Sequence, residues 1–135
     1  MNPLKTTLRT PCTGPPLNGF DTHFTWKRVI SDYCALFSPA AVVYGKGVYF
    51  ANGFQYSGSN TYAVPDPMNG YKHVYQSRVL TGEFVVGNQN CIVPPAKPGG
   101  SAIRYDSVVD NPAAPSIFVI FSDTQAYPEY LIIFK

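Results

Sequence analysis

The chain has 135 residues, a length that predicts one domain with a sizeable hydrophobic core, because domains usually run to about 100–200 residues. Charged residues make up only 13% of the sequence and aromatic residues 15%, and 13 prolines and 11 glycines interrupt it. This composition favours short strands and shaped loops over a helical bundle, a coiled coil or a disordered tail. The net charge is +2, and no run of Lys or Arg marks a nucleic-acid groove.

Cysteine spacing and the N-terminal sequence bear on the compartment. Cys12, Cys34 and Cys91 are odd in number and form no Cys-x-x-Cys pair, so we expect neither a disulfide framework nor a cysteine-rich zinc site. The N-terminus lacks a basic-then-apolar signal peptide, and no stretch approaches the ~18 apolar residues of a membrane span. We therefore expect a soluble, intracellular protein that makes no membrane contact.

The first third of the chain gives weak structural signals. Residues 1–18 are predicted to be an irregular, proline-rich lead-in, because proline lacks a backbone donor and fixes φ. The domain proper is then residues 19–135. Between Phe20 and Phe37 the apolar residues fall near helical spacing, which predicts one or two amphipathic turns that end before Pro39.

Beyond residue 40 the pattern predicts mainly strands. Residues 52–62 are expected to be a polar loop running into a short helix, while residues 65–70 form a turn and residues 94–100 a loop. The predicted strands are residues 48–51, 73–87 with a bend at Gly82, 105–110, 117–121 and 130–134. The last two are continuous apolar runs, predicted to be buried on both faces. The result is an α+β fold, mostly antiparallel because the connections are too short for helical crossovers.

Two features between Tyr44 and Tyr62 are candidates for a binding site. The Gly45-Lys46-Gly47 segment is neither a dinucleotide fingerprint nor a P-loop, but its glycines allow a close backbone approach to a ligand or, alternatively, a simple bend within a sheet. Tyr44, Tyr49, Tyr56 and Tyr62 surround Ser57 in the sequence. Aromatic faces around a hydroxyl suit a flat heterocycle, although tyrosines that merely fill a β-rich core give the same pattern.

The remaining titratable residues predict no metal or hydrolytic site. His23 and His73 stand 50 positions apart, without ligand-like spacing. A Ser57, His73 and Asp106 arrangement lacks the strained nucleophile elbow that would support it. Asp123 and Glu129 look like a pair, but Pro128 and the neighbouring turn indicate surface carboxylates instead of general acid–base partners.

From about residue 40 onward the sequence resembles the catalytic domain of the poly(ADP-ribose) polymerase (PARP) family, in its mono-ADP-ribosylating, macrodomain- and WWE-associated branch. The motifs that carry the resemblance are collinear: Tyr-Gly-Lys-Gly-Val-Tyr-Phe-Ala at 44–51, Tyr-Ser at 56–57, Asn-Thr-Tyr at 60–62, Lys-His-Val-Tyr at 72–75, Arg-Val-Leu-Thr-Gly at 78–82, Val-Pro-Pro at 93–95, Tyr-Asp-Ser-Val at 105–108 and Gln-Ala-Tyr-Pro-Glu-Tyr-Leu-Ile at 125–132.

The resemblance implies a mainly antiparallel split-sheet fold that binds NAD as substrate, without a metal, and transfers ADP-ribose to protein acceptors. By position, Tyr49 matches the tyrosine of the family's His-Tyr-Glu triad and Tyr62 the tyrosine on the opposite face of the nicotinamide. Ser57 matches the serine that holds the carboxamide, and Gly47 is grouped with these nicotinamide-binding residues. Ile117 occupies the third triad position, so a non-acidic residue there predicts single ADP-ribose units rather than polymer. A nuclear or cytoplasmic location is implied.

The resemblance breaks down before residue 40, as if the chain were truncated on its N-terminal side. The family's His-Gly-Thr strand is not found, and Gly19-Phe20-Asp21 resembles only the segment that follows it and its helix. The nearest substitute, His23-Phe24-Thr25, puts a ring where the family needs bare backbone. We therefore expect a partial fold without the family's first strand and helix, an exposed hydrophobic sheet edge, and NAD affinity lower by about one to two powers of ten. A catalytically dead interaction module is the alternative function.

Overall fold

A computed structural model describes residues 42–100 and 102–135, together with the backbone of one earlier strand, Thr22–Arg28. Within these parts of the chain seven strands form one sheet. The elements are β1 (Thr22–Arg28), β2 (Val48–Ala51), α1 (Phe54–Ser57), β3 (Lys72–Leu80), β4 (Phe84–Val86), β5 (Ser107–Val109), β6 (Ile117–Ile120), a 3₁₀ helix (Asp123–Gln125) and β7 (Ala126–Phe134). The predicted lead-in at residues 1–18 lies outside the described residues. No helix in the described part of the chain has the length and apolar character needed to cross a membrane.

The sheet has the order β4-β5-β6-β2-β1-β3-β7, and only the pairing of β4 with β5 is parallel. This confirms the predicted strand-rich α+β fold with mainly antiparallel pairing. The short helix at Phe54–Ser57 follows β2 as predicted, and Gly70 closes the predicted turn with its N–H bonded to the carbonyl of Asp66 at 2.8 Å. Gly70 has a φ of 73°, a conformation that favours glycine.

The core lies at the centre of the sheet, where β2, β5 and β6 supply apolar residues to both faces. On one face Ala51, Val108, Ile117 and Val119 pack together, and on the other Phe50, Val79 and Ile120 do so. All four residues of β6 are buried, because this strand is flanked by β5 and β2 and its side chains alternate between the two clusters. The predicted burial of the 117–121 run on both faces is therefore confirmed within β6.

Two strand predictions need correction. The 130–134 run is not buried on both faces: every residue of β7 is partly or fully exposed, because β7 is an edge strand paired with β3 alone. Gly82 does not bend one long strand. The chain turns there with φ at 52°, and β4 joins the opposite end of the sheet, beside β5. A side chain at Gly82 would collide with the carboxylate of Asp106, so the position requires glycine.

The segment predicted as helical contains a strand. Thr22–Arg28 forms β1, which lies between β2 and β3 with Trp26 paired to Ala51 and His23 paired to Val79. Threonine and aromatic residues favour extended backbone, and Phe24 and Trp26 recur with the period of two that a strand requires. The predicted exposed hydrophobic edge does not lie beside β2, where β1 is found; the edge strands of the sheet are β4 and β7, and β7 is partly exposed. The rest of the predicted helix lies outside the described residues.

Gly47 joins the Tyr44–Gly47 turn to β2 at a point of close backbone contact. A Cβ atom at this position would collide with the carbonyl oxygen of Ile120 and lie 2.8 Å from Cγ1 of Val119. We expect Gly47→Ala to lower the free energy of unfolding by about 1–3 kcal/mol, because β2 and β6 must separate to admit the methyl group. Urea denaturation measures the loss. Gly53→Ala is the matched control, since no atom lies within 4 Å of the Cβ built there; equal losses at both positions would contradict the explanation.

Candidate functional site

Tyr49 and Ile117 lie on the same face of neighbouring strands. In the antiparallel pair of β2 and β6, Tyr49 is opposite Val119 and Ala51 is opposite Ile117. Tyr49 and Ile117 are therefore diagonal neighbours, a relation that typically separates residues by about 7–8 Å. Both contact the apolar cluster on this face, in which the side chain of Ile117 is buried. The two triad positions implied by the resemblance are thus brought together.

The hydroxyl of Tyr49 is held inside the protein. It accepts hydrogen bonds from the backbone N–H groups of Tyr44 at 3.0 Å and Gly45 at 3.1 Å, and it donates one to the carbonyl of Gly45 at 2.8 Å. A phenol has one proton to donate and two lone pairs, so these three bonds use its full capacity. The ring of Tyr49 is therefore the part of the side chain that remains for a ligand.

Helix α1 places Ser57 directly after the strand that carries Tyr49. The N–H of Asn52 bonds to the carbonyl of Ser116 at 2.8 Å, which ties the start of this connection to the beginning of β6. The helix closes where the N–H of Gly58 bonds to the carbonyl of Phe54 at 2.7 Å. Ser57 is buried as a result. A serine at the end of a one-turn helix between β2 and the Tyr62 loop is consistent with its predicted binding role.

Tyr62 does not stand alone, since it stacks on Tyr56. Their ring centroids are 4.6 Å apart with 24° between the planes, and their hydroxyl oxygens are 2.6 Å apart. The backbone of Tyr62 is fixed by a hydrogen bond from its N–H to the carbonyl of Ser59 at 3.1 Å. The sequence motif named Tyr62 as the ligand-stacking residue but gave no sign that Tyr56 packs against it.

The hydroxyl pair changes the acidity of Tyr56. Tyr56 is half exposed as a whole, but desolvation of its hydroxyl and the hydrogen bond with Tyr62 raise the pKa of Tyr56 from 10.0 to about 12. Tyr44 and Tyr49 add smaller electrostatic contributions to the same shift. Tyr56 thus contacts Tyr62, and the hydroxyl of Tyr49 binds the backbone of Tyr44, while a shared binding site of the four tyrosines stays a prediction.

The folded protein favours the neutral phenol of Tyr56. This group therefore makes its full contribution to the free energy of unfolding at pH values below its ordinary pKa of 10.0, and the contribution is lost as the pH rises towards about 12. We expect the free energy of unfolding to fall over this range more steeply in the unchanged chain than in Tyr56→Phe, which has no proton to lose. Urea unfolding at a series of pH values, with tyrosinate absorbance recorded in parallel, measures the difference. Identical pH profiles would refute the role of the hydroxyl pair.

A carboxylate that the motifs did not indicate fixes the start of β6. Asp110 accepts hydrogen bonds from the N–H groups of Ser116 and Ile117, both at 3.0 Å, and from the Ser116 hydroxyl. Partial burial by itself raises the pKa of this carboxyl, but these hydrogen bonds lower it below its ordinary value overall. The Asp-Asn-Pro turn sequence at 110–112 was the available signal. Asp110 thereby holds the backbone that carries Ile117.

The other residues singled out in the sequence make contacts that support the fold. Gly47 makes the close contact with Ile120 described above, and its predicted nicotinamide role stays a prediction. The carboxylate of Asp106 accepts a hydrogen bond from the N–H of Glu83 at 2.8 Å, which supports the turn at Gly82. Glu129 is not a surface carboxylate: its side chain is only 10% exposed and binds Arg78 at 2.7 Å. Among the described residues no group of His, Cys, Asp and Glu could hold a metal ion.

A cavity of about 410 Å³ opens at the other end of β6. Its lining includes Asp106, Phe121 and Gln125. Phe121 follows Ile117 by four residues, about 13 Å along a strand. Phe121 nevertheless packs against the apolar cluster that contains Ile117 and that Tyr49 also contacts, so the cavity borders the same face of the sheet.

The comparisons with known proteins agree with the motifs. No protein-family model matches the chain. It is 56% identical over 119 residues to human protein mono-ADP-ribosyltransferase PARP14, an alignment that covers 87% of this chain and 6% of PARP14. It is 37% identical over 134 residues to mouse protein mono-ADP-ribosyltransferase PARP10, covering 95% of this chain and 14% of PARP10. The chain thus spans a small part of the length of these relatives.

The fold has a counterpart among solved structures. The PARP domain of Arabidopsis RADICAL-INDUCED CELL DEATH1 matches with a TM-score of 0.60 at 19% identity, covering 85% of this chain and 68% of that domain. The identity is low, so this match bears on the fold alone. By sequence the chain is related to one segment of the PARP mono-ADP-ribosyltransferases, and it has the fold of a PARP domain.

Proposed function

We propose that this chain binds NAD and transfers single ADP-ribose units to protein side chains, releasing nicotinamide. The observations that carry the proposal are the diagonal arrangement of Tyr49 and Ile117 on one face and the stacked pair of Tyr56 and Tyr62, with Tyr49 within electrostatic reach of Tyr56. The sequence relationship to mono-ADP-ribosyltransferases supports it. The proposed location is the nucleus or the cytoplasm.

In this proposal the nicotinamide ring of NAD lies between the rings of Tyr49 and Tyr62. Aromatic faces stabilise a flat, electron-poor ring by stacking and by the apolar area they bury. The hydroxyl of Ser57, which lies at the end of α1, fixes the carboxamide through a polar contact. The chain thereby combines an apolar slot with one oriented polar group, as small-ligand sites generally do.

Catalysis in this site consists of binding and orientation. The bond between nicotinamide and ribose breaks with both electrons leaving on nicotinamide, and the acceptor nucleophile then bonds to the ribose carbon and loses its proton. Interactions that hold the leaving group and the strained ribose lower the barrier to this step. Ile117 has no hydrogen-bonding group to hold a ribose hydroxyl or polarise a second ADP-ribose, so the product stays a single unit.

A catalytically dead interaction module is the second candidate. Two observations favour it: Ile117 is sealed within the apolar cluster, and the sequence lacks the His-Gly-Thr motif. Strand β1 lies beside β2, yet its His23-Phe24-Thr25 differs from that motif at the glycine. Such a module would keep the fold and lose turnover.

Transfer of label from adenine-labelled NAD onto the purified chain, or onto proteins of a mixed extract, tests the proposal. The expected result is label that stays as single ADP-ribose units and is lost in Tyr49→Ala. Tyr71→Ala is the matched control, because Tyr71 lies in the turn before β3 and packs against Lys135 instead of the tyrosine cluster. No label from a chain shown by circular dichroism to be folded would reject the enzyme and leave the interaction module.

A further inference from the structure

We propose that Tyr49 acts on its ligand through its ring face alone, and that the turn from Gly87 to Cys91 is the positioning element that fixes this ring. The inference rests on the proposed function and goes beyond it, since it assigns the hydroxyl of Tyr49 to the protein and a role to a turn outside the tyrosine motif. The segment Tyr44–Lys46 connects the two, as described below.

The first step is the tether between Tyr49 and the Tyr44–Lys46 segment. Two backbone N–H groups point at the phenol oxygen and one carbonyl accepts its proton, at 2.8 to 3.1 Å. All three bonding partners belong to Tyr44 and Gly45, so the Tyr49 side chain can adopt another rotamer only if these bonds break or this segment moves. A hydroxyl held in this way has no hydrogen bond left to offer a ligand.

The second step is the attachment of that segment to the Gly87–Cys91 turn. The N–H of Lys46 bonds to the carbonyl of Cys91 at 2.8 Å. Gly45 packs so closely that an added Cβ would lie 3.3 Å from Cβ of Cys91 and 3.0 Å from the ring of Phe121. The carbonyl of Tyr44 lies against Gly87, where a Cβ atom would collide with it. Tyr44, Gly45 and Lys46 therefore all contact the Gly87–Cys91 turn.

The third step is the anchoring of the turn itself to the sheet. The N–H of Gly87 bonds to the carbonyl of Val109 at 2.9 Å, which continues the pairing of β4 with β5. Asn88 closes the turn: its carbonyl accepts the N–H of Cys91 at 3.0 Å and its side-chain oxygen accepts the N–H of Asn90 at 2.9 Å. A continuous series of hydrogen bonds thus runs from β5 through the turn to the hydroxyl of Tyr49.

Through this series of hydrogen bonds the Gly87–Cys91 turn affects ligand binding by positioning the ring of Tyr49, without contacting the ligand itself. A tyrosine on a strand can occupy several side-chain rotamers, and each alternative orientation lowers the population that can stack on the ligand. The tether removes that freedom before the ligand arrives, so binding does not have to order the ring. Loosening either the tether or the turn then weakens stacking without removing any atom of the ring.

The test uses Tyr49→Phe, which keeps the ring and deletes the tether, and Asn88→Ala, which loosens the turn at an exposed position far from the ring in sequence. Tyr71→Phe is the matched control. Affinity for NAD is measured by isothermal titration calorimetry, and thermal unfolding confirms that each variant is folded. We expect Tyr49→Phe and Asn88→Ala to weaken NAD binding about three- to tenfold, the equivalent of one net hydrogen bond, and Tyr71→Phe to leave it unchanged.

A second readout is independent of NAD. In a chain carrying ¹³C at the tyrosine Cζ atoms, a hydroxyl proton that exchanges slowly with solvent splits the Cζ signal in mixed H₂O and D₂O. We expect a split Cζ signal for Tyr49 and a single averaged signal for exposed Tyr71. In Asn88→Ala we expect the two Tyr49 lines to broaden, because its hydroxyl proton exchanges faster. A rapidly exchanging Tyr49 hydroxyl, or unchanged NAD affinity in Tyr49→Phe, overturns the inference.

The two readouts separate this inference from the proposed function. If the unchanged chain does not bind NAD while the Tyr49 hydroxyl exchanges slowly, the proposed function fails and the ligand-facing part of the inference falls with it. If the chain binds NAD and the hydroxyl exchanges rapidly, the function stands and the tether is rejected. Weaker binding in Tyr49→Phe together with unaltered binding in Asn88→Ala would reject the turn as the positioning element.

Discussion

Replacing Ile117 by glutamate, the residue that chain-extending members of the family have at this position, is expected to destabilise the protein rather than to produce polymer. Ile117 is 8% exposed and packs with Ala51, Val108 and Val119 in the apolar cluster. A carboxylate there would lose its hydration without gaining a partner, since these neighbours are aliphatic. An uncompensated buried charge costs about 3–5 kcal/mol, a large share of the stability of a domain of this size.

Urea denaturation of Ile117→Glu at neutral pH measures the loss, and repeating it at low pH identifies its cause. Protonation removes the charge, so most of the lost stability is expected to return as the pH falls. Ile117→Leu, which keeps the volume, should cost less than about 1.5 kcal/mol. Ala114→Glu places the same charge on an exposed loop nearby and should leave stability almost unchanged. A stable Ile117→Glu protein that forms ADP-ribose chains would contradict this account of the site.

The expected result follows from what an aliphatic side chain does at position 117, which the resemblance matches to the third triad position. Ile117 is the first residue of β6, and its backbone is held by Asp110 and by the pairing with Ala51. Its side chain closes the apolar cluster beneath the ring of Tyr49. The residue thus contributes to the sheet whether or not it contacts a ligand, and changing its chemistry alters the support of Tyr49 at the same time.

The sequence predicts the centre of this fold well because several local signals agree there. At 44–51 the two glycines, the short apolar run and the aromatic motif all indicate a bend followed by a strand, and β2 occupies Val48–Ala51. The run at 117–121 is apolar throughout, and only a strand flanked on both sides and covered on both faces accommodates such a run. The register of β2 and β6 then puts Tyr49 and Ile117, the two triad positions implied by the family motifs, on one face, while their roles stay predictions.

The features that the sequence did not predict depend on contacts made in the folded chain. Apolar spacing at 20–37 fits a helix as well as a strand, and the place between β2 and β3 decides in favour of β1. The apolar run at 130–134 resembles the run at 117–121, yet it belongs to β7, an edge strand that stays partly exposed; Pro128 was the local signal for an edge. The stacking of Tyr56 on Tyr62 and the hydrogen bonds of Asp110 to the start of β6 depend on the backbone geometry between these residues, which amino-acid composition does not predict. Neither contact could be predicted from residue type alone, because each depends on how the chain folds back between the two residues.

Removing the ring of Tyr62 is expected to have the largest effect on ligand binding. Tyr56 covers one face of this ring, so a nicotinamide ring has the opposite face to stack on. Tyr62→Ala removes both the stacking and the apolar area, and we expect it to weaken NAD binding about 10- to 100-fold. Tyr62→Phe keeps the ring and loses only the hydroxyl shared with Tyr56, so its effect should stay below about tenfold.

Isothermal titration with NAD, and with nicotinamide alone, distinguishes stacking from a general loss of structure. A stacking role predicts that Tyr62→Ala weakens both ligands by a similar factor, because the lost contact is with the ring that they share. Tyr71→Ala removes a tyrosine from a turn outside the cluster and should change neither affinity. Undiminished binding of both ligands by Tyr62→Ala would exclude the ring as part of the site, and a loss for NAD alone would move the contact of Tyr62 to the ribose or adenine end of the ligand.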